Sequence, residues 1–143
     1  VSHLAEGGSA PLIPGFVELL RVHNYGAAWS SFSGMRWLLL GVTSAIVLAV
    51  VWAVAKRHVR QPLGLTAAML IISGGLGNIL DRARLGYVVD MFNFQFMSYP
   101  VFNVADICIV SGAVLGAVYY LWFYEKYDGK GARNGNADAD RRS

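Results

Sequence analysis

Three long apolar segments constrain the fold of this chain more than any other feature. They are residues 37–55, 63–80 and 104–124, and Asp106 is the single charged residue within them. A helix needs about 20 predominantly apolar residues to cross a bilayer, and each segment is close to that length. The 143-residue chain is 55% hydrophobic and 15% charged, which is atypical of a soluble domain. We therefore predict an all-α membrane protein, a small bundle with three transmembrane helices in this chain.

The basic residues predict how these segments are oriented. Eight of the 12 Lys and Arg residues follow the first or the third apolar segment: Lys56, Arg57, Arg60, Lys126, Lys130, Arg133, Arg141 and Arg142. The positive-inside rule assigns both flanks to the cytoplasm and residues 1–36 and 81–103 to the outer side. Four arginines oppose this orientation. The net charge of +3 is thus explained by topology, and we predict no nucleic-acid partner.

The segments predicted to face outward are not ordinary loops. Residues 12–20 are mostly apolar but too short to span, so residues 1–36 are predicted to lie at the membrane interface. Residues 84–102 are rich in β-branched and aromatic residues, which favours short strands or a hairpin that acts as a lid. Together with the three spans these segments form one predicted domain, residues 1–126. The tail at 127–143 is predicted to be disordered and cytoplasmic.

Two aspartates carry the strongest functional signal. Asp90 and Asp106 both lie in stretches almost empty of other charge, and Asp106 lies about one turn into the third apolar segment. An ionised carboxylate at the bilayer centre costs about 2.5–3.5 kcal/mol, so an acid in such a segment marks a candidate functional site. Taken singly, Asp90 could be a surface-loop acid and Asp106 a helix-terminal one. Placed at one membrane face, the two acids can share a proton and activate a water molecule.

Amide and arginine side chains surround the two acids in the sequence. Asn78 is spaced i,i+3 from Asp81 and i,i+4 from Arg82, so the three share one helix face. Asn103 and Asp106 are likewise spaced i,i+3, and Asn103 can cap the third helix. Simpler interpretations stay open: Asp81 and Arg82 as a structural pair, Arg82 as an interfacial anchor, and Asn24 and Asn103 as turn or cap residues.

Other kinds of chemistry find less support in the sequence. The three histidines show no metal-ligand spacing, and the single cysteine excludes a site built on several thiolates, so no metal and no cofactor is predicted. A transporter or channel subunit would place its acids near the bilayer midplane. A non-catalytic membrane module that binds a precursor stays a second alternative.

Ordered motifs make the chain resemble the bacterial lipoprotein signal peptidase family, signal peptidase II. The resemblance covers about residues 9–124 and rests on PLIPGF (11–16), NYGAAWS (24–30), GGLGNILDR (74–82), VVDMF (88–92) and FNVADICI (102–109). It implies a metal-independent aspartyl endopeptidase of the bacterial cytoplasmic (inner) membrane, with its active site on the periplasmic or extracellular side. Its substrate would be a prolipoprotein, cut just before a diacylglyceryl-modified cysteine. The implied protein contacts membrane lipid and is a monomer.

The resemblance also implies residue roles, by motif match alone. Asp90 and Asp106 correspond to the catalytic pair, with the choice of base left open, and Asp81 corresponds to a supporting acid. The substrate-binding positions are Asn24, Gly26, Asn78, Arg82 and Asn103. The family has four spans and this chain three, so we expect a first helix lost by truncation or by a late-called start. Met91 and Trp29 stand where phenylalanine is commoner.

Overall fold

The computed structural model describes residues 1–27 and 31–129. Ala28, Trp29 and Ser30 of the NYGAAWS motif lie outside the described residues, as do residues 130–143, which form most of the predicted tail.

Three long helices occupy the predicted apolar segments. They are α1 (Arg36–Ala55), α2 (Pro62–Leu85) and α3 (Val104–Trp122), and each is long and apolar enough to cross a membrane. A fourth, short helix follows, α4 (Tyr124–Tyr127). Helix α2 runs five residues beyond the predicted segment and ends at Gly86, whose φ of 88° suits a residue without a Cβ. That extension adds a full turn carrying Asp81 and Arg82.

Glycines set the close packing of α2 against its two neighbours. A Cβ added at Gly112 of α3 would lie 2.8 Å from the carbonyl oxygen of Ala67, and one added at Gly74 of α2 would lie 2.8 Å from Ile109. On the other flank, Gly75 lies directly against Val47 of α1. Small residues let helices approach closely where lipid removes the usual hydrophobic drive for association. Helix α2 is therefore the central helix of the three.

A three-stranded antiparallel sheet corrects the all-α prediction. Its strands are β1 (Ser9–Ile13), β2 (Val17–Asn24) and β3 (Val88–Phe94), in the order β1-β2-β3. The β1–β2 connection is a tight turn in which Gly15 has a φ of 75°. The predicted strand in residues 84–102 is present as β3 and pairs with β2, and the chain also folds back on β3 through an antiparallel bridge between Phe92 and Phe102. The sheet joins the two segments that were predicted to face outward.

The bundle has two chemically different ends. The start of α1, the end of α2 and the start of α3 lie together with the sheet, and we call this the site end. The α1–α2 loop, the end of α3 and α4 form the far end, which carries Lys56, Arg57, Arg60 and Lys126.

Candidate active site

Strand alternation and a helix start bring the two acids together at the site end. Successive side chains in a strand point to opposite faces, and in β3 both Val88 and Asp90 are buried on the same one. Asp106 is in the first turn of α3. Both acids line one cavity, which also receives Val88.

Asparagine amides hold the carboxyl group of Asp90, which is 2% exposed. Asn24 Nδ2 at the end of β2 donates to Asp90 Oδ2 at 2.9 Å, and Asn103 Nδ2 donates to Asp90 Oδ1 at 2.9 Å. Asn24 also accepts from the backbone N–H of Gly26 at 2.9 Å, which fixes the turn that follows β2. Each oxygen of Asp90 thus accepts one hydrogen bond from a neutral donor.

Asp106 is held by a capping box at the start of α3. Asn103 Oδ1 accepts from the backbone N–H of Asp106 at 3.0 Å, and Asp106 Oδ2 accepts from the backbone N–H of Asn103 at 3.1 Å. These reciprocal bonds satisfy two of the free donors at a helix start. The other oxygen, Oδ1, accepts from Asn78 Nδ2 of α2 at 3.0 Å. The cap predicted for Asn103 is therefore present, and it orients a candidate catalytic acid.

Asn103 links the two acids through a continuous set of amides. Its Nδ2 group donates to Asp90 and also to Asn78 Oδ1, the latter at 3.1 Å. Because Asn78 in turn donates to Asp106, the hydrogen bonds run from Asp90 through Asn103 and Asn78 to Asp106. Asn78 and Asn103 are 8% and 5% exposed, so water competes little for these bonds.

Asp81 and Arg82 each form a hydrogen bond with a different part of the chain. Arg82 Nη2 donates to the carbonyl oxygen of Gly26 at 2.8 Å, which ties α2 to the turn after β2. Asp81 Oδ2 accepts from the backbone N–H of Val89 at 3.1 Å, next to Asp90 in the chain. Both contacts were missed by the sequence reasoning, because the partners lie 56 and 8 residues away.

The cavity has a volume of about 330 Å³ and combines polar and apolar walls. Asn24, Asn78, Arg82, Asp90 and Asp106 line it, while Asn103 and Gly26 stand behind that lining as hydrogen-bond partners. The segment Tyr99 to Phe102, part of the predicted lid, also lines the cavity, whereas sequence reasoning missed Leu39 and Thr43 of α1. The adjacent hydroxyl residues Thr43 and Ser44, within the apolar stretch of α1, were the available signal for these two residues.

Burial dominates the electrostatics of Asp90. Removal from water raises the pKa of this carboxyl, and the charge of Asp106 raises it further, against the lowering effects of Asn24, Asn103 and Arg82. The net effect is a pKa above that of a solvent-exposed aspartate. Among residues 1–27 and 31–129, no group of three or more His, Cys, Asp or Glu side chains is arranged to hold a metal ion.

Comparison with known proteins places this geometry in context. The family model described as Signal peptidase (SPase) II matches residues 1–123. The lipoprotein signal peptidase of Clostridium acetobutylicum is 41% identical over 123 residues, covering 84% of this chain and 80% of that protein. The lipoprotein signal peptidase of Streptococcus pyogenes serotype M2 is 39% identical over 127 residues, covering 89% of this chain and 83% of that protein.

Solved structures show the same arrangement of the chain. One bacterial membrane enzyme, determined in meso at 1.9 Å, superposes with a TM-score of 0.77 at 30% identity, covering 85% of this chain and 80% of that one. A second, at 2.3 Å, gives a TM-score of 0.76 at 29% identity, covering 88% of this chain and 77% of that one.

Proposed function

The chain belongs to the signal peptidase II family, and from that premise we propose that it is an aspartic endopeptidase that removes signal peptides from lipid-modified bacterial prolipoproteins. One observation carries the aspartic assignment. Asp90 and Asp106 line the same cavity, and a set of asparagine amides orients both carboxyl groups.

In the proposed mechanism Asp90 is the acid that starts with the shared proton, and Asp106 is the base. Deep burial, which raises the pKa of Asp90, supports this order of roles. Asp106 removes a proton from a water molecule as the water oxygen attacks the carbonyl carbon of the scissile bond. Asp90 gives its proton to the carbonyl oxygen, so the tetrahedral intermediate carries no net charge.

Collapse of the intermediate returns both acids to their starting states. Asp90 takes a proton back from one hydroxyl of the intermediate, and Asp106 donates its proton to the leaving amine as the C–N bond breaks. Water is the only reactant besides the peptide, so the mechanism needs no cofactor and no metal ion.

The neighbouring polar residues are proposed to hold the peptide and the acids in register. Asn24, Asn78 and Arg82 line the cavity and are placed to bond the peptide backbone. Asn103 acts from behind through Asp90, and Gly26 through its carbonyl bond to Arg82. Asp81 supports Asp90 by holding the adjacent backbone N–H of Val89.

The proposed location follows from the three apolar helices and the basic flanks. We place the protein as a monomer in the bacterial cytoplasmic membrane, with its basic far end in the cytoplasm and its site end on the outer side. Its partners there are the prolipoprotein, through a lipid-bearing cysteine, and the surrounding membrane lipid.

Cleavage of a lipidated prolipoprotein by the purified protein tests this function. We expect a gel shift of the precursor in the presence of EDTA, and no shift with Asp90→Asn. Binding of the precursor without any cleavage would support a non-catalytic membrane module instead. Cleavage that EDTA abolishes would contradict the metal-independent mechanism.

A further inference from the structure

A second cavity lies beside the acid pair and shares part of its wall. It has a volume of about 240 Å³. Four residues line both cavities: Tyr99, Phe102, Asp106 and Val110. The second cavity therefore begins where the proposed scissile bond would lie. We call it the α3 side cavity.

The remaining walls of the α3 side cavity are almost entirely apolar. Phe94, Ile107 and Ser111 complete its lining. The rings of Phe94, Tyr99 and Phe102 pack together, with the Phe94 and Phe102 centroids 5.1 Å apart. Nothing in this lining besides Asp106 carries a charge, so the cavity is chemically suited to hydrocarbon.

The α3 side cavity also lies on the exposed flank of a helix that can span a membrane. Ile107 and Val110 are 45% and 58% exposed, and each lies within two turns of the start of α3. Within the described part of the chain, these apolar side chains are open to the bilayer. A chain anchored in the outer leaflet can therefore enter sideways, without leaving hydrocarbon.

We propose that the α3 side cavity holds part of one acyl chain of the lipid attached to the substrate's cysteine. This inference rests on the proposed function, since the lipid must arrive joined to the peptide that Asp90 and Asp106 cut. The size of the cavity favours an acyl chain over a peptide helix, which is about 10–12 Å across with its side chains. A water molecule occupies about 30 Å³. A methylene group is of similar size, so about eight methylenes fit.

The α3 side cavity would position the substrate's modified cysteine more than it would increase the affinity for the substrate. Lipid tails are as apolar as leucine, so moving a chain from bilayer to cavity gains little hydrophobic free energy. A seated chain does, however, fix the modified cysteine relative to Asp106. Small displacements of a reacting group can cost up to about 100-fold in rate, so correct seating should appear in kcat/KM.

Photo-crosslinking tests the assignment directly. The full protein in vesicles is mixed with a precursor whose acyl chain carries a diazirine near its eighth carbon, and crosslinked residues are mapped by mass spectrometry. We expect the label mainly on Phe94, Ile107 or Ser111. Label found chiefly on α1, or spread evenly over the lipid-facing residues, would overturn the proposal.

A second arm separates the substrate's lipid from a bilayer lipid. Phosphatidylcholine with the same diazirine is crosslinked with and without a tenfold excess of unlabelled lipidated precursor. Displacement of that label by the precursor supports the proposal. Undiminished labelling of the cavity would assign it to a bilayer lipid.

A steric variant adds a kinetic test with a matched control. Ser111→Phe places a ring in the cavity, whereas Ala113→Phe adds the same ring at an exposed position of α3 outside it. We expect Ser111→Phe to lower kcat/KM about tenfold for a precursor with 16-carbon chains and hardly at all for one with very short chains. Ala113→Phe should leave both unchanged. Equal losses for both chain lengths would contradict the proposal. Absence of cleavage by the unaltered protein would instead refute the proposed function, while the crosslink map still tests the cavity.

Discussion

Two buried aspartates at opposite ends of the bundle have pKa values shifted in opposite directions. Asp90 at the site end is 2% exposed, and Asp128 at the far end is 6% exposed. Burial raises the pKa of Asp90 and the charge of Asp106 adds to that effect, against the lowering by the hydrogen bonds from Asn24 and Asn103. Asp128 has a lowered pKa although it is buried almost as deeply.

The hydrogen bonds of Asp128 explain the difference. Burial alone would raise its pKa, but four donors outweigh that effect. They are Tyr119 Oη at 2.7 Å, the backbone N–H groups of Arg60 and Gln61 at 3.1 and 3.2 Å, and Arg60 Nε at 3.4 Å. This acid ties the α1–α2 loop to the end of α3 in its charged form. Asp90 has two donors, Asn24 and Asn103, and lies beside the cavity.

The largest expected difference between the two ends of the bundle is in cleavage activity. Asp90→Asn and Asp106→Asn should each reduce cleavage of a lipidated precursor by about 10⁴-fold or more, because members of a catalytic unit act together. Asp128→Asn should leave cleavage per folded molecule unchanged. Single-turnover cleavage in detergent measures all three. Substantial turnover by Asp90→Asn would remove this residue from the catalytic role.

The next largest expected difference is in the free energy of unfolding, which should depend strongly on Asp128. Asp128→Ala should lower the free energy of unfolding by about 2–4 kcal/mol, because the Tyr119 hydroxyl and two backbone N–H groups lose their acceptor. Glu125→Ala, an exposed acid in the preceding turn, is the control and should change stability little. Thermal unfolding in detergent gives the comparison. Equal effects of the two substitutions would show that Asp128 does not hold the far end together.

A glycine pair sharpens the comparison, because each member lies at the α2–α3 contact but only one is near the acids. A Cβ at Gly74 would meet the carbonyl of Ala105, next to Asp106, whereas one at Gly116 would lie 3.8 Å from the Cβ of Ala67, an ordinary contact. Gly74→Ala should cost about 1–3 kcal/mol through overpacking and lower kcat as well. Gly116→Ala should do neither. Unchanged kcat in Gly74→Ala would show that helix spacing does not control the acids.

The smallest expected effect is on the pH dependence of stability, which should have opposite signs for Asp90 and Asp128. The raised pKa of Asp90 means that its contribution to stability is greatest below pH about 3.9 and is lost as pH rises through the folded pKa. The lowered pKa of Asp128 means that its contribution is present above pH about 3.9 and is lost as pH falls through the folded pKa. As pH rises from about 2 to 5, Asp128→Asn should therefore lose Tm relative to the unaltered protein. As pH rises above about 3.9, Asp90→Asn should gain Tm relative to the unaltered protein. Parallel Tm profiles of the three proteins from about pH 2 to 8 would contradict the opposite assignments.

Local patterns in the sequence predicted the helical part of this molecule well. Apolar segments of about 20 residues, with Asp106 as their single charge, predicted the three helices. The spacing of Asn103 and Asp106 predicted the cap that the structure contains. The shared face of Asn78 and Arg82 was also predicted, and both line the cavity. These features depend on residues within four positions of one another, which sequence periodicity reports directly.

Contacts between distant segments were not accessible in the same way. The sheet pairs residues 17–24 with 88–94, and no local pattern encodes that register. Without a partner in view, residues 12–20 were interpreted as an interfacial segment. Asp128 was assigned to the tail by composition, whereas its partners Arg60, Gln61 and Tyr119 lie 68, 67 and 9 residues away. The roles of the site residues stay predictions.

The amides around Asp90 come from both directions along the chain. Asn24 precedes it by 66 residues, and Asn103 follows it by 13. Asp106 follows Asn103 in the first turn of α3. A chain that stops before Asn103 therefore contains Asp90 and only one of its two amide donors, Asn24. Under the proposed function, peptide hydrolysis therefore depends on α3 being in place, since α3 carries Asp106 and begins directly after the Asn103 that holds Asp90.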